Sequence, residues 1–193
     1  MSRIDPAERQ ARTEELTALL GGKPLVLVGM MGAGKTTVGR RIAAKMARNF
    51  HDSDEEIEAA ARLTIPEIFE QRGEAEFRAG ETRVIARVLK DYPNIVLATG
   101  GGAFVNEETR ALLKDEAVVV WLKADSDILF ERVSRRSNRP LLKTANPRAT
   151  LEKLVAERYP IYAEAHVTVA SREVPQDVVA VDVLDAVLAH LKG

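Results

Sequence analysis

The sequence predicts an α/β fold, with a five-stranded parallel sheet that carries helices on both faces. The first observation is that short apolar runs alternate with helical segments along the chain, the pattern of strand–helix–strand units. The second is that runs such as "LVLV" and "IVLA" contain no polar residue. Such strands are buried on both sides, as they are when helices cover both faces of a sheet. The 193 residues suit one three-layer domain with a sizeable core.

The segment before the first strand predicts a helix over 6–20. The pair Asp5–Pro6 offers an N-cap and a proline at the first helical position, and Gly21–Gly22 ends the helix. Because this segment carries no functional motif, we interpret 1–22 as an appended helix and 23–193 as a single domain. A partner-binding role for the helix stays open.

The remaining elements follow from apolar periodicity and from capping and turn residues. Strands are assigned to apolar runs bounded by turn residues. They are predicted at 24–28, 50–51, 94–98, 117–122 and 167–170. Helices are assigned where apolar residues recur every three or four positions or where an acidic first turn follows a cap. They are predicted at 37–49, 52–62, 64–73, 74–90, 107–114, 125–134, 149–165 and 176–191, with a break at Gly73 and a disruption at Pro160.

Composition and charge narrow the class of protein. The net charge is −1, so the chain as a whole does not attract nucleic acid or an anionic membrane, and neither is expected as a partner. The absence of cysteine excludes disulfides, thiolate metal sites and a cysteine nucleophile. The N-terminus has no apolar signal segment, and no run approaches the ~18 residues of a membrane span. We expect a soluble cytoplasmic protein.

A phosphate-binding loop follows the first predicted strand. Gly29–Thr36 fits G-x-x-x-x-G-K-[ST] and lies between a predicted strand and a predicted helix. The glycines let backbone N–H groups converge on phosphate oxygens, and the helix directs its positive end at the same anion. Lys35 is expected to neutralise β- and γ-phosphate charge, and Thr36 to place its hydroxyl on Mg²⁺. The motif predicts a P-loop NTPase fold.

Missing motifs exclude several P-loop classes. The N-K-x-D motif of GTPases and the L-S-G-G-Q motif of transporter ATPases do not occur in the sequence. The strand "NIVLA" ends in "TGGG", where many NTPases place an aspartate. An aspartate must therefore reach the magnesium shell from elsewhere, and Asp52 and Asp54 are the candidates.

The segment "FHDSDEEIE" places Asp52 and Asp54 two residues apart after a short strand. In an extended segment, side chains at i and i+2 point the same way, so both can face the crevice at the carboxyl ends of the strands. One can hold a metal-bound water, while the other orients a sugar-like hydroxyl and accepts its proton. The alternative is that either aspartate only caps the following helix.

Three further motifs leave a structural and a functional interpretation open. Gly100–Gly102 is either a tight turn or a bare backbone floor that presents N–H groups to a small polar ligand. Arg78, one helical turn from Glu74 and Glu81, either forms an exposed ion pair or points into the crevice, held by these glutamates. Arg158, near the end of a helix, contacts the helix dipole or supplies a second cation for an anionic acceptor.

The segment 132–148 is basic and is interpreted as a lid. It has six positive residues and no acidic residue, namely Arg132, Arg135, Arg136, Arg139, Lys143 and Arg148. No aromatic residues are interleaved for base stacking, which argues against nucleic-acid binding, and a solvated charged face is the other alternative. A mobile lid that closes over ATP, neutralises the transferring phosphate and excludes water is favoured, with Pro140 in its hinge.

The ordered motifs resemble the shikimate kinase family. They are "GMMGAGKTTVGRRIA", "FHDSDEEIE", "IPEIFEQRGEAEFRAGE", "ATGGGAF", "NRPLL" and "ERYPIY", and the resemblance spans about residues 25–191. Each motif is modest alone, but the ordered set is specific. The resemblance implies a nucleoside-monophosphate-kinase-like fold. It also implies transfer of the ATP γ-phosphate to the 3-hydroxyl of shikimate with Mg²⁺, in the pathway to chorismate and aromatic amino acids.

The resemblance implies an ATP side of the site. The phosphate cradle corresponds to Gly32, Ala33, Gly34, Lys35, Thr36 and Thr37. Mg²⁺ is expected on Thr36 and, through water, on Asp52. Lys35 and the lid residue Arg139 are expected to act on the transferring phosphate. The arginine beside adenine is either Arg135 or Arg136, and the adenine loop near 171–175 is not securely aligned.

The resemblance also implies an acceptor side of the site, formed by about residues 52–81 together with Gly100–Gly102 and Arg158. Asp54 corresponds to the residue that holds the shikimate hydroxyls and acts as base. Arg78 and Arg158 correspond to the clamp on the shikimate carboxylate, and Gly101, within Gly100–Gly102, to the substrate-facing backbone. A gluconate kinase-like enzyme and a non-enzymatic ATP-dependent regulator are the competing hypotheses, and a monomer is expected.

Overall fold

The computed structural model describes residues 5–135 and 146–193. Within these ranges, five parallel strands form one sheet. They are β1 (Leu25–Val28), β2 (Asn49–Asp52), β3 (Ile95–Ala98), β4 (Val118–Lys123) and β5 (Val167–Ala170). Their spatial order is β2-β3-β1-β4-β5, and every neighbouring pair is parallel. The predicted α/β class with a five-stranded parallel sheet is confirmed.

Helices cover both faces of the sheet. They are α1 (Pro6–Leu20), α2 (Lys35–Lys45), α3 (Ser53–Ala61), α4 (Ile65–Asp91), α5 (Glu107–Glu116), α6 (Ser126–Ser134), α7 (Pro147–Tyr162) and α8 (Gln176–Lys192), with a 3₁₀ turn at Ala103–Val105. Helices α1 and α2 pack against α8, and α4 packs against α5. Because crossovers between parallel strands are right-handed, these two groups lie on opposite faces.

The core follows the apolar pattern of the strands. Every residue of the central strand β1 and of its neighbour β3 is buried, as their all-apolar sequences predict. The edge strand β5 instead alternates between buried and exposed residues. Each fully buried Val or Leu contributes ~1.5–3 kcal/mol, so the central strands anchor the loops that leave their carboxyl ends.

The bounds of α2 and β2 differ from the sequence-based expectation for a common reason. Helix α2 begins at Lys35, two residues earlier than predicted, and ends at Lys45. It stops there because Ala47 has a positive φ of 51°, which a helix cannot continue through. The chain between Ala47 and Asn49 thus turns into β2, which spans four residues rather than the predicted two.

The break predicted at Gly73 is confirmed. Gly73 lies inside α4 with φ 80° and ψ 171°, so two helical segments meet there at a kink. Glycine adopts this conformation without the Cβ clash that other residues incur. The second segment carries Arg78 and Glu81 towards the carboxyl end of the sheet.

Helix α1 packs on the rest of the chain through its apolar side. Leu16 and Leu20 are buried in the main core. Ion pairs join Arg12 to Asp185 at 3.5 Å and Lys192 to Glu15 at 2.7 Å. The division into an appended helix and a single domain stays a prediction. In the described part of the chain, no helix is long and apolar enough to cross a membrane.

Candidate active site

A cleft of about 380 Å³ opens at the carboxyl ends of β1, β2 and β3. Ligands of open parallel sheets bind at this edge. Predicted ATP-side and acceptor-side residues line the same cleft: Gly32, Gly34, Lys35, Thr36, Thr37, Asp52, Asp54, Gly100 and Gly101. The structure therefore brings the P-loop, the two aspartates and the triple glycine together.

The P-loop has the backbone geometry that only glycine adopts readily. Gly32 has φ 83° and Gly34 has φ 91°. A Cβ at Gly32 would lie 2.9 Å from Val133 Cγ2, so the loop packs directly against α6. The N-terminus of α2 begins immediately after Gly34 and directs its N–H groups and positive dipole into the cleft.

Lys35 lies inside the loop. Its Nζ donates hydrogen bonds to the carbonyl oxygens of Gly29, at 2.8 Å, and Met30, at 3.0 Å. The side chain is buried, so its charge acts where little water screens it. A buried ammonium beside converging backbone N–H groups makes this end of the cleft an anion site.

Thr36 and Asp52 form the candidate magnesium site. Thr36 Oγ1 donates to Asp52 Oδ2 at 2.8 Å. A hydroxyl and a carboxylate are oxygen donors of the kind Mg²⁺ takes, with water and substrate phosphate completing its octahedron. Residues 5–135 and 146–193 hold no cluster of three or more His, Cys, Asp or Glu side chains suited to a metal. The donor set at Thr36 and Asp52 therefore fits Mg²⁺ bound together with ATP.

Asp52 also caps α3, and Asp54 lies within that helix. Asp52 Oδ1 accepts from the Asp54 N–H at 3.1 Å, so the capping interpretation holds for Asp52 alongside its contact with Thr36. The expectation that both aspartates follow one another in an extended segment is wrong, because α3 begins at Ser53. Both side chains nevertheless line the cleft.

The acceptor end is closed around the backbone of Gly100. A Cβ added at Gly100 would lie 2.8 Å from both Asp54 Oδ1 and Glu81 Oε1. Its carbonyl accepts from Ala103 N–H at 3.2 Å, which forms a turn. The triple glycine is thus a tight turn that also brings bare backbone against two carboxylates.

Arg78 forms ion pairs with both neighbouring glutamates and is not among the residues that line the cleft, so its direction into the crevice stays a prediction. Its Nη1 donates to Glu81 Oε2 at 2.7 Å, and its Nη2 donates to Glu74 Oε1 at 3.4 Å. The guanidinium also packs on Gly102, where a Cβ would lie 2.5 Å from Nη1. Arg78 is therefore held by the glutamates and lies against the triple glycine.

Burial raises the pKa of Glu81, and the nearby charge of Asp54 raises it further, while Arg78 and Arg158 oppose the shift. Glu81 is almost fully buried. Removal of a carboxylate from water favours its neutral form. Burial therefore favours the neutral form of Glu81, while the positive charge of Arg78 favours its ionised form.

Arg158 and Tyr162 hold the other side of the triple glycine. Arg158 Nη1 donates to the Gly101 carbonyl at 3.2 Å, and the Tyr162 hydroxyl donates to the same oxygen. Burial raises the pKa of Tyr162 to about 12, so the hydroxyl stays protonated at physiological pH. Arg158 thus contacts the loop after β3, against which Arg78 of α4 also packs.

The comparisons with known proteins decide the family. The shikimate kinase family model matches residues 31–188. The chain belongs to the shikimate kinase family. It is 54% identical to a shikimate kinase of Bradyrhizobium diazoefficiens over 93% of this chain and 86% of that protein. It is 59% identical to one of Nitrobacter winogradskyi over 90% of this chain and 81% of that protein.

Solved structures agree with the family. A shikimate kinase from Acinetobacter baumannii in complex with shikimate has a TM-score of 0.84 and 41% identity, and the match covers 90% of this chain and 97% of that one. A gluconokinase from Sinorhizobium meliloti has a TM-score of 0.58 at 17% identity, covering 89% of this chain and 92% of that one. The second likeness shows the shared fold alone.

Two residues that the sequence interpretation missed clamp the P-loop of this shikimate kinase family member. Arg132 Nη1 donates to Gly32 O at 3.3 Å and to Ser171 Oγ at 2.9 Å. Ser171 Oγ donates in turn to Ala33 O at 2.8 Å. The sequence interpretation placed Arg132 in the lid and Ser171 in the adenine loop, and it did not predict that either residue contacts the P-loop.

Gln176, at the start of α8, is a third missed residue of the cleft. Its Oε1 is buried and accepts no hydrogen bond within the described residues. That oxygen lies 2.8 Å from the place where a Cβ on Gly34 would stand. Gln176 therefore sets the close approach between α8 and the phosphate loop.

The predicted lid falls largely on residues 136–145, so Arg136, Arg139, Pro140 and Lys143 lie outside the described residues. Arg135 lines the cleft and forms an ion pair with Glu131. The assignments of the lid, of Arg139 and of the adenine-side arginine stay predictions.

Proposed function

We propose that the protein transfers the γ-phosphate of ATP to the 3-hydroxyl of shikimate, giving shikimate 3-phosphate and ADP on the route to chorismate and aromatic amino acids. One observation carries the proposal: in a chain of the shikimate kinase family, a P-loop shares one cleft with Asp54, Gly100 and Gly101, and Arg78 and Arg158 lie against this glycine loop. The cleft thus combines an anion site for ATP with an anion site for the acceptor.

The ATP phosphates occupy the loop from Gly32 to Thr37. Its backbone N–H groups and the N-terminus of α2 bind the phosphate oxygens, while Lys35 stabilises the charge on the β- and γ-phosphates. Arg139, which lies outside the described residues, is expected to act on the same phosphates. These groups stabilise charge where it develops during transfer, which is the main contribution a protein makes to this reaction.

Thr36 and Asp52 hold Mg²⁺, with Asp52 acting through water. When bound there, Mg²⁺ would neutralise part of the charge on the phosphates. The support is the 2.8 Å contact between the two side chains and their oxygen chemistry. Asp52 is itself oriented by the first turn of α3.

Shikimate is oriented by opposite charges at its two ends. Arg78 and Arg158 bind its carboxylate with charge-assisted hydrogen bonds. Asp54 holds the hydroxyl end and accepts the proton of the 3-hydroxyl as the phosphate is transferred. The backbone of Gly101, within Gly100–Gly102, forms the surface on which the ring lies.

Other properties remain part of the proposal. The protein is expected to act as a cytoplasmic monomer that needs neither nucleic acid nor a membrane. The near-neutral net charge supports weak attraction to polyanions. Sedimentation at micromolar concentration tests the monomer directly.

The deciding experiment measures ADP release by the purified protein with Mg-ATP. Three reactions are compared: no acceptor, shikimate and gluconate. Rapid release with shikimate alone is expected, because the arginine pair and Asp54 match a hydroxylated carboxylate of that shape. Faster release with gluconate would favour the gluconate kinase-like alternative. Equal release without acceptor would favour a nucleotide-dependent regulator.

A further inference from the structure

Ser53 is a buried hydroxyl between the two aspartates, and the proposed mechanism assigns it no role. Its side chain is fully buried at the first position of α3. Its Oγ accepts from the Gly100 N–H at 2.9 Å, which joins α3 to the loop after β3. We infer that Ser53 is a positioning residue that fixes Asp54 relative to Gly100 and thereby sets the shape of the shikimate site. The inference rests on the proposed function.

The position of Gly100 leaves little freedom. Asp54 Oδ1 and Glu81 Oε1 each lie 2.8 Å from the place of its absent Cβ. Glu81 Oε2 in turn holds Arg78. A displacement of Gly100 by a few tenths of an ångström would therefore change its contacts with the proposed base and with the support of a carboxylate-binding arginine.

The Ser53 hydroxyl is also the acceptor to which the Gly100 N–H donates. Ser53 satisfies this amide with a neutral oxygen, so the Asp54 carboxylate stays directed into the cleft. Without the hydroxyl, a part-buried donor would lack its partner, and Asp54 Oδ1 is a neighbouring acceptor. Rotation of Asp54 towards that amide would turn the base away from the acceptor hydroxyl.

Loss of the Ser53 hydroxyl should not disturb the ATP side of the cleft. The contact between Thr36 and Asp52 does not involve the Ser53 hydroxyl. The cap from Asp52 to the Asp54 N–H likewise uses only a backbone group of α3. Loss of the hydroxyl should therefore act on shikimate and leave the binding of ATP nearly unchanged.

The test compares Ser53→Ala with Ser53→Thr in the full chain. Ser53→Ala is expected to lower kcat/KM for shikimate by ~10- to 100-fold and to change KM for ATP by less than about threefold. Ser53→Thr keeps a hydroxyl acceptor and is expected to restore most of the loss. Equal impairment of both variants, or equal increases in the two KM values, would overturn the inference.

Leu16→Ala separates positioning from stability. Leu16 is a core residue of α1 outside the cleft, so the variant should lower Tm at least as much as Ser53→Ala while leaving both KM values unchanged. A merely structural role for Ser53 would reproduce that pattern.

Amide hydrogen exchange of Gly100 gives a readout that does not depend on activity. Ser53→Ala should accelerate exchange at Gly100 by ~10-fold or more, because the amide loses its acceptor. Unchanged exchange would contradict the inference even if activity fell. If the wild-type protein does not phosphorylate shikimate but Ser53→Ala still accelerates exchange at Gly100, the proposed function alone is refuted.

Discussion

Thr36 Oγ1 lies 2.8 Å from Asp52 Oδ2 and so joins the helix after the P-loop to the end of β2. This contact spans one strand of the sheet, since β3 lies between β1 and β2. It places a hydroxyl and a carboxylate at the phosphate end of the cleft. The pair is the part of the structure on which the magnesium assignment depends.

Asp52→Asn tests that assignment. The amide keeps one oxygen for the α3 cap and can donate its NH2 group to Thr36 Oγ1, but it removes the charge that attracts Mg²⁺. The Mg²⁺ concentration for half-maximal activity should rise by ~10- to 100-fold. A magnesium titration at saturating ATP and shikimate measures it.

Asp177→Asn is the control for Asp52→Asn. Asp177 forms exposed ion pairs with Arg41 and Lys45 outside the cleft. The variant Asp177→Asn should leave the Mg²⁺ concentration for half-maximal activity unchanged. An unaltered requirement in Asp52→Asn would remove Asp52 from the metal site.

Arg158→Ala should weaken shikimate binding selectively. It removes one charge-assisted hydrogen bond, worth ~1.5–3 kcal/mol, so KM for shikimate should rise by ~10- to 100-fold. Initial rates over a grid of both substrates measure the two Michaelis constants. Equal increases in KM for shikimate and for ATP would contradict the role assigned to Arg158. Arg12→Ala on α1 is the control and should leave both KM values unchanged.

Tyr162→Phe should have a smaller effect in the same direction. The hydroxyl supports the Gly101 carbonyl but carries no charge, and a neutral hydrogen bond is worth ~0.5–1.5 kcal/mol. KM for shikimate should therefore rise ~2- to 10-fold, with KM for ATP unchanged. The assay is the same, and a loss as large as that of Arg158→Ala would indicate that Tyr162 does more than support Gly101.

The fold could be predicted closely because its signals are local. All-apolar strands, a glycine loop before a helix and a break at Gly73 each depend on a few neighbouring residues. The error at Asp54 also has a local origin, because the expectation extended the strand through Asp54. The strand β2 ends at Asp52 and α3 begins at Ser53, so Asp54 is helical.

The contacts that shape the site could not be predicted because they join distant parts of the chain. Ser171 contacts Ala33 across 138 positions, and Arg132 contacts Gly32 across 100. No periodicity or spacing links such residues in one sequence. The motifs predict groups that contact the substrates, whereas the groups that hold the P-loop in place lie far apart in the sequence.

Gly100→Ala should impair the acceptor side by steric contact alone. Gly100 has no positive φ, so alanine fits the backbone, but its Cβ would lie 2.8 Å from Asp54 Oδ1 and Glu81 Oε1. KM for shikimate should rise at least ~10-fold, with ATP binding preserved, because displacing either carboxylate disturbs the base or the support of Arg78. Calorimetric titration with each substrate measures the change in shikimate binding separately from the change in ATP binding.

Gly80→Ala is the matched control for Gly100→Ala. A Cβ at Gly80 meets only Arg83 Nη2, at 3.9 Å. Since alanine favours a helix over glycine by ~1 kcal/mol, the variant should keep full activity and unfold at an equal or higher temperature. Normal shikimate binding by Gly100→Ala would show that the crevice is looser than the structure indicates.

His166 should make stability depend on pH at the opposite edge of the sheet. Its Nδ1 accepts from the Val119 N–H at 3.0 Å, which requires an unprotonated nitrogen. Burial lowers the pKa of His166, and the neighbouring His190, Lys114 and Lys23 lower it further. The unfolded chain therefore binds a proton at a higher pH than the folded chain does. The free energy of unfolding should fall as pH drops below the ordinary histidine pKa of ~6.5, by at most ~1.4 kcal/mol per pH unit.

His166→Asn isolates this effect, because its amide oxygen can accept from the same N–H and does not titrate. Urea unfolding between pH 7.5 and 5 should show a shallower loss of stability for His166→Asn than for the wild type, with the two closest at neutral pH. Parallel pH profiles would mean that other groups cause the acid sensitivity. The unfolding free energy, rather than the reaction rate, is the decisive readout, since His166 contacts β4 outside the cleft.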